Sequence, residues 1–324
     1  MRGPMNRRDL LITAALSAGG LSLSQVAAAE AYPSGGITIT VGFAAGGAGD
    51  LAARVAADHA RASHKVAVGL DFRPGAGGTL AADQLARARA DGATLSLYSA
   101  SPILVAPHLQ KVPYDPLKDF TYIASYVAIA IPFFVRSDSP FGSWDDVLAH
   151  GRANPGRLRW ATAAPRGVAH IATEAAFLRE GVSATFVPFS GGAEAITALL
   201  GGHIDAVVSS DYGPHLDAGS VRLLIETGPE PIPGAPGIPT FRSRGYPVSI
   251  PASYGLFGPA GTPPAAIEWW QQVLRNMLET ELYRTFLRTM RGTAVFQDHA
   301  AFTRTVHGGY EALGKQIADM GLKP

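Results

Sequence analysis

The sequence predicts an α/β protein of two lobes, each a sheet flanked by helices, joined by a hinge of two crossovers. Three observations carry that prediction. Short β-branched runs alternate with helical stretches of about a dozen residues, which is the spacing of βαβ crossovers and a parallel sheet. With residues 1–29 set aside as a leader, about 295 residues remain, more than a single core accommodates. An apolar run from Tyr122 to Val135 is long enough to carry the chain from one lobe to the other.

The elements follow in order. Ile37 to Val41 reads as a strand, then a glycine-rich turn, then a helix from Leu51 to His64. Val66 to Leu70 is a second strand, followed by another glycine-rich turn and a helix from Thr79 to Ala90. Thr94 to Tyr98 is a third strand. Beyond the crossing come a helix at Trp144–Asn154, a strand at Leu158–Ala161 and a helix at Val168–Glu180. They are followed by a strand at Ala184–Val187, a helix at Ala193–Leu200 and a strand at Asp205–Ser209. Val221–Glu226 is expected to return the chain to the first lobe, and the Pro/Gly-rich segment Pro229–Pro239 reads as a loop. Trp269–Met290 and Phe302–Met320 read as closing helices. Lobe one therefore comprises residues 30–128 and 228–324, and lobe two residues 129–227.

The leader has the order of a secretory signal. Arg7 and Arg8 give a positive start, Leu10 to Leu23 is apolar, and Ala27-Ala28-Ala29 offers a small-residue cleavage site. An apolar part of about 14 residues is too short for a bilayer core that needs roughly 20. Asn6-Arg7-Arg8-Asp9-Leu10-Leu11 also resembles a twin-arginine signal that lacks the usual Ser/Thr, so Sec and twin-arginine export both stand. The expected location is outside the cytoplasmic membrane, in the periplasm.

Composition narrows the function classes. The chain has no cysteine, which excludes a lipobox anchor, disulfides and thiol chemistry. A formal charge of +1 gives no electrostatic reason for nucleic-acid binding. There is no G-x-S-x-G elbow, no H-E-x-x-H and no P-loop lysine. No catalytic residue, cofactor or metal is expected.

Two glycine-rich loops carry the chemistry. Phe43-Ala44-Ala45-Gly46-Gly47-Ala48-Gly49-Asp50 and Arg73-Pro74-Gly75-Ala76-Gly77-Gly78 follow the first two strands. Ligands of open α/β sheets bind at that edge. Glycine lets the backbone come close and expose successive N–H groups, and each loop opens a helix with free donors and a positive end. Together they make an anion cradle from main chain alone. Hydrogen bonds to a charged group are worth roughly 1.5–3 kcal/mol each. Four to six of them support the roughly 8 kcal/mol of micromolar binding after association costs. A rival reading takes Gly47-Ala48-Gly49-Asp50-Leu51-Ala52, with Asp71 after the second strand, as the dinucleotide fingerprint of an exported oxidoreductase. His170 and Glu174, four apart on one helix, are expected to share a surface hydrogen bond.

At these loops the sequence resembles the tripartite tricarboxylate transporter solute-receptor family, the Bug receptors, over nearly all of the chain beyond the leader. The family's F-x-x-G-G-x-x-D stands as Phe43 to Asp50, its N-R-P-G-A-G-G as Phe72 to Gly78, and its A-x-P-D-G-x-T as Ala88 to Thr94. Tyr114 to Phe120 is similar to Y-D-P-x-K-D-F, Val187 to Gly192 to V-P-Y-K-G-G, and Gly258 to Pro263 to A-P-A-G-T-P. The resemblance implies the two-lobed periplasmic binding protein fold and a non-enzymatic, monomeric receptor closing on a small carboxylate. It implies a two-component membrane permease as partner, with a sensor kinase as the alternative.

The resemblance also implies the site residues: Phe43, Ala45, Gly46, Gly47, Asp50, Gly75, Ala76 and Gly77 from lobe one, and Arg166, Gly167, His170, Phe189 and Ser190 from lobe two. Departures bear on the ligand. Where the family carries a hydroxyl residue before the histidine, Arg166-Gly167 stands here; the guanidinium either takes a second carboxylate in bidentate fashion or points to solvent. Phe189 replaces the usual Tyr, Ser190 the usual Lys and Phe72 the usual Asn, which favours a less polar ligand, with a dicarboxylate or an aromatic acid as candidates. Asp50 is expected to cap its helix and pair with Arg54.

Overall fold

The computed structural model describes residues 32–319. The leader reading falls on residues outside that range.

The first sheet holds β1 (Ile37–Val41), β2 (Val68–Phe72), β3 (Thr94–Tyr98), β4 (Phe120–Ile129), β10 (Ala252–Pro259) and β11 (Thr293–Gln297), in the order β11-β4-β10-β3-β1-β2. Strands β2, β1 and β3 are parallel, as the βαβ spacing predicts. The other half is antiparallel, because β10 inserts between β3 and β4 in the opposite sense and β11 pairs with β4. The sheet is therefore mixed, not parallel throughout. Helix α1 (Ala48–His64) lies on one face with α8 (Pro264–Met277) and α9 (Glu281–Met290). Its alanines 52, 53, 56, 57 and 60 are fully buried there, and their small side chains bring the helix close to the strands. On the opposite face lie α2 (Thr79–Ala86) and α10 (His299–Asp319), the latter packed on β4 and on a π-helical turn, Ser101–Val105, that runs into α3 (Ala106–Leu109).

The second sheet has β5 (Pro132–Arg136), β6 (Arg159–Thr162), β7 (Thr185–Phe186), β8 (Ala206–Val208) and β9 (Val221–Glu226), in the order β7-β6-β8-β5-β9. Helices α4 (Trp144–Ala153), α5 (Val168–Arg179), α6 (Gly192–Leu200) and α7 (Gly213–Asp217) flank it. A capping box starts α4: Ser143 Oγ accepts from Asp146 N–H, while the Asp146 carboxylate accepts from Ser143 N–H. Trp144 and Trp160 are almost wholly buried beside Phe133 and Phe177.

The chain crosses to lobe two at Ala130–Ile131, between β4 and β5, inside the apolar run. The expected return at Val221–Glu226 is corrected. That segment is β9, antiparallel to β5 at the edge of the second sheet. The chain beyond it stays with lobe two: Phe241 N–H bonds to Glu226 O at 2.8 Å, and Trp144 Nε1–H donates to Tyr246 Oη at 2.7 Å. The passage back comes at Pro251, just before β10. The Pro/Gly-rich stretch Pro229–Pro239 is a loop, as its composition predicts, and Phe241, Tyr246 and Val248 beyond it supply core to lobe two.

Candidate functional site

Both glycine loops lie at the carboxyl edge of the first sheet and face lobe two across a cleft. The first loop tips into α1 at Gly47, which stands at the N-cap without a side-chain cap. Asp50, expected to cap the helix, lies within its first turn and caps none of its N–H groups: its Oδ2 accepts Gly46 N–H of the loop at 2.9 Å, and its Oδ1 takes Arg54 Nη2 at 2.7 Å, the expected pair. Both carboxylate oxygens are thus engaged within the loop and helix, and Asp50 shapes the cradle from behind.

The second loop is built on consecutive left-handed residues. Gly75, Ala76, Gly77 and Gly78 have φ of 136°, 47°, 66° and 93°. Three are glycines, which pay no Cβ penalty there. The loops touch each other, since a Cβ on Gly42 would come within 3.0 Å of Gly78 Cα.

Lobe two closes over them. A Cβ on Gly77 would sit 3.1 Å from Pro165 O, and one on Gly191 would sit 3.4 Å from Ala44 Cβ. Val168 N–H donates to Ser101 Oγ at 3.3 Å. Ala48 N–H, at the start of α1, donates to the Asp211 carboxylate from the loop after β8. Asp211 Oδ2 also accepts Ser209 Oγ–H at 2.6 Å. Enclosure between the lobes pushes the Asp211 carboxyl up, against the downward pull of those two hydrogen bonds and of His215.

Between the lobes lie two adjoining spaces. The inner one, about 670 Å³, is lined by Phe43, Gly47 and Gly49 of the first loop, by the hinge residues Ile129 and Ile131, and by Val168, Val208 and Asp211 of lobe two. Hydroxyl-bearing residues, among them Ser99, Ser101, Thr162, Ser209 and Ser210, line the same space. The outer one, about 550 Å³, is walled by Phe43, Gly75, Ala76, Gly77, Pro165, Phe189 and Ser190. An anion entering here meets backbone donors and hydroxyls on an otherwise apolar wall.

The sequence-derived residues divide accordingly. Phe43, Gly47, Gly75, Ala76, Gly77, Phe189 and Ser190 converge on the cleft. Ala45 and Gly46 form the exposed tip of the first loop and line neither space. Gly167 lies at the lobe contact, against Ser101. Arg166 is exposed, lines neither space, and borders a neighbouring hollow with Gln110 and Leu109 that meets the outer one at Ala76, Gly77 and Pro165. His170 is turned inward, 4.1 Å from Phe186 and 5.2 Å from Trp160 between ring centroids. Its Nδ1 accepts Arg166 N–H at 3.1 Å, so Nε2 carries the proton and donates to Glu174 Oε1 at 2.9 Å. The imidazole braces the Arg166 turn, which is left-handed at φ 61°.

The loops Ser99–Ser101 and Ser209–Asp211 are additions that sequence reasoning missed. Both sit at carboxyl ends of strands, so the edge rule that singled out the first two loops would also have found these. The dinucleotide reading fails on geometry: Asp71, which it assigns to a ribose, pairs with Arg73 at 2.9 Å, and the start of α1 is engaged by Asp211.

Comparison with known proteins agrees with this architecture. A UPF0065 protein encoded in the gbd 5′ region of Cupriavidus necator is 30% identical over 289 residues, 87% of this chain and 88% of that protein. BugT of Bordetella pertussis is 28% identical over 282 residues, 86% of each chain. MatC of Rhodopseudomonas palustris, solved with bound malate, superposes with a TM-score of 0.80 at 26% identity, covering 88% of this chain and 100% of that one. The sequence profile described as tripartite tricarboxylate transporter family receptor matches residues 52–322. The chain belongs to that family of periplasmic solute receptors, and its fold is the two-lobed binding-protein fold.

Proposed function

We propose that this receptor captures a small organic carboxylate between its lobes and presents it, as a monomer, to the membrane permease of a tripartite tricarboxylate transporter. The observation that carries the reading is the convergence of both glycine loops on one interlobe cleft. The loops offer main-chain donors and a helix N-terminus, and the rest of the wall is hydroxyl or apolar. Such a site binds and does not turn over. The family consists of receptors, not enzymes, which sets aside the oxidoreductase alternative. MatC, of the same fold, holds malate, a hydroxylated dicarboxylate. The family's association with a transporter favours delivery over a purely signalling role. Delivery would follow from closure, because a ligand touching both lobes favours the closed form in which they meet.

Phe43 and Phe189 give the outer space two aromatic walls, which suits a ligand with an apolar or aromatic body. Export by the Sec or twin-arginine route is part of the same proposal.

The test is a thermal-shift panel of aliphatic, hydroxylated, amino and aromatic acids on the purified chain. A ligand at about 100 times its Kd adds about 2.7 kcal/mol of stability, a shift of several degrees in Tm. At least one acid should produce it. A folded protein that responds to none at millimolar concentration contradicts the proposal.

A further inference from the structure

We infer that Asp211 sets the ligand class of this cleft, admitting a monocarboxylate that carries a hydroxyl or ammonium at its far end and disfavouring a dicarboxylate. The inference rests on the carboxylate-receptor reading above and sharpens it. Three observations carry it.

The first is the charge of the walls. Among the described residues lining the two spaces there is no Lys, Arg or His, and Asp211 is the one carboxylate. Arg166, the cation a second carboxylate would need, lines neither space and borders a neighbouring hollow that meets the outer one at Ala76, Gly77 and Pro165.

The second is that the seat of Asp211 is built for it. A Cβ on Gly192 would fall 1.6 Å from Asp211 Oδ2, and one on Gly47 would fall 3.2 Å from Oδ1. Glycine at both places makes room for the carboxylate, while Ser209 and Ala48 hold its two oxygens. A carboxylate has about four acceptor positions, so two hydrogen bonds leave it able to accept more. A ligand hydroxyl or ammonium facing it gains a charge-assisted bond.

The third is the capacity of the cradles. Two glycine loops border the cleft, one at the start of α1 and one at Gly75–Gly78. The first already engages a carboxylate of the chain's own, from the opposite lobe. One cradle remains for the acid group of a ligand. A second acid group would meet hydroxyls, apolar wall and Asp211, with no cation to offset like-charge repulsion.

The experiment is calorimetric titration of the wild-type chain and Asp211→Asn with two series of matched acids. One comprises 4-hydroxybutanoate, 4-aminobutanoate and butanedioate, the other 6-hydroxyhexanoate, 6-aminohexanoate and hexanedioate. In the wild type a donor-ended acid should bind at least about tenfold more tightly than the diacid of its length. Asp211→Asn keeps the shape and removes the charge, and should narrow that ratio by about tenfold. A wild type that prefers the diacid overturns the inference and leaves the receptor reading intact. So does a folded Asp211→Asn variant with an unchanged ratio. The wild-type ordering decides the matter even if the variant fails to fold. If none of the six acids binds, the inference falls, while the carboxylate reading is decided by the broader panel of acids above.

Discussion

Glu226 accepts the Ile131 N–H at 3.0 Å and thereby ties the end of β9 to the first crossover between the lobes. The same oxygen, Oε1, accepts Gly228 N–H at 2.8 Å, while Oε2 has no hydrogen-bond partner among the described residues. Burial raises this carboxyl to about 7, although the two N–H groups pull it down. The raised value means that the folded form holds its proton when an unfolded carboxyl, near pH 4.5, has lost it. Stability from this group is therefore full below about 4.5, falls as pH rises toward about 7, and stays low above it, a loss on the order of 3 kcal/mol. Glu226→Gln keeps an acceptor for both N–H groups and cannot ionise. It should raise Tm at pH 8 by several degrees, leave it nearly unchanged at pH 4.5, and flatten the profile between them. A variant whose Tm tracks the wild type across that range would show that Glu226 ionises without cost.

Gly167 meets Ser101 where the lobes touch. Its φ of −85° and ψ of −174° suit any residue, so a side chain there acts through space and not through backbone strain. A Cβ would lie 2.5 Å from Ser101 Oγ and 2.9 Å from Ala164 O. Gly167→Ala should hold the lobes slightly apart and weaken acid binding by about tenfold, since closure supplies part of the affinity. Ser101→Ala in that background removes the nearest clashing atom and should recover part of the loss. Titration of the two single variants and the double variant measures this coupling.

Gly77 is constrained twice. Its φ of 66° is left-handed, and a Cβ would approach Pro165 O of the other lobe at 3.1 Å. Gly77→Ala should cost about 1–2 kcal/mol of stability from the backbone alone. It should also reduce acid affinity more than that cost explains, because the loop is both cradle and lobe contact. Denaturant unfolding and calorimetry on one preparation separate the effects. Equal stability and equal affinity would remove the loop from the site.

The sequence revealed the parts of the fold in which local pattern and tertiary role agree. The strands Ile37–Val41 and Thr94–Tyr98 are β-branched or apolar, bounded by turns, and observed over those residues. Strand β10 was not legible. Ala252–Pro259 contains Gly255, Gly258 and a terminal proline, a composition that reads as a loop. Gly255 is there because a Cβ would lie 2.4 Å from Ala124 O in the bulged pairing with β4. Pairing on both edges, not propensity, makes that segment a strand. The site divides in the same way. Glycine loops announce themselves because left-handed backbone leaves a compositional trace. Asp211 leaves none: a serine-rich turn looks like any other until the opposite lobe brings the start of α1 against it.

Arg166 offers a prediction that bears on the ligand and on stability at once. It is left-handed at φ 61°, a conformation costing a non-glycine residue about 1–2 kcal/mol, and His170 Nδ1 holds its N–H in place. Arg166 borders the hollow beside Gln110, which meets the outer space at Ala76, Gly77 and Pro165, and it lines neither cleft space itself. Arg166→Gly removes the strain while adding the chain entropy of glycine, so the net expectation is stabilisation by about 0.5 kcal/mol. Affinities for butanedioate and 4-hydroxybutanoate should both stay within about twofold of the wild type, because no ligand contact is lost. A selective loss of the diacid would place the guanidinium in the cleft on binding and restore the two-carboxylate reading of this position. Equal retention of both acids leaves Arg166 as a turn residue braced by an inward histidine, with the choice of ligand made at the opposite wall.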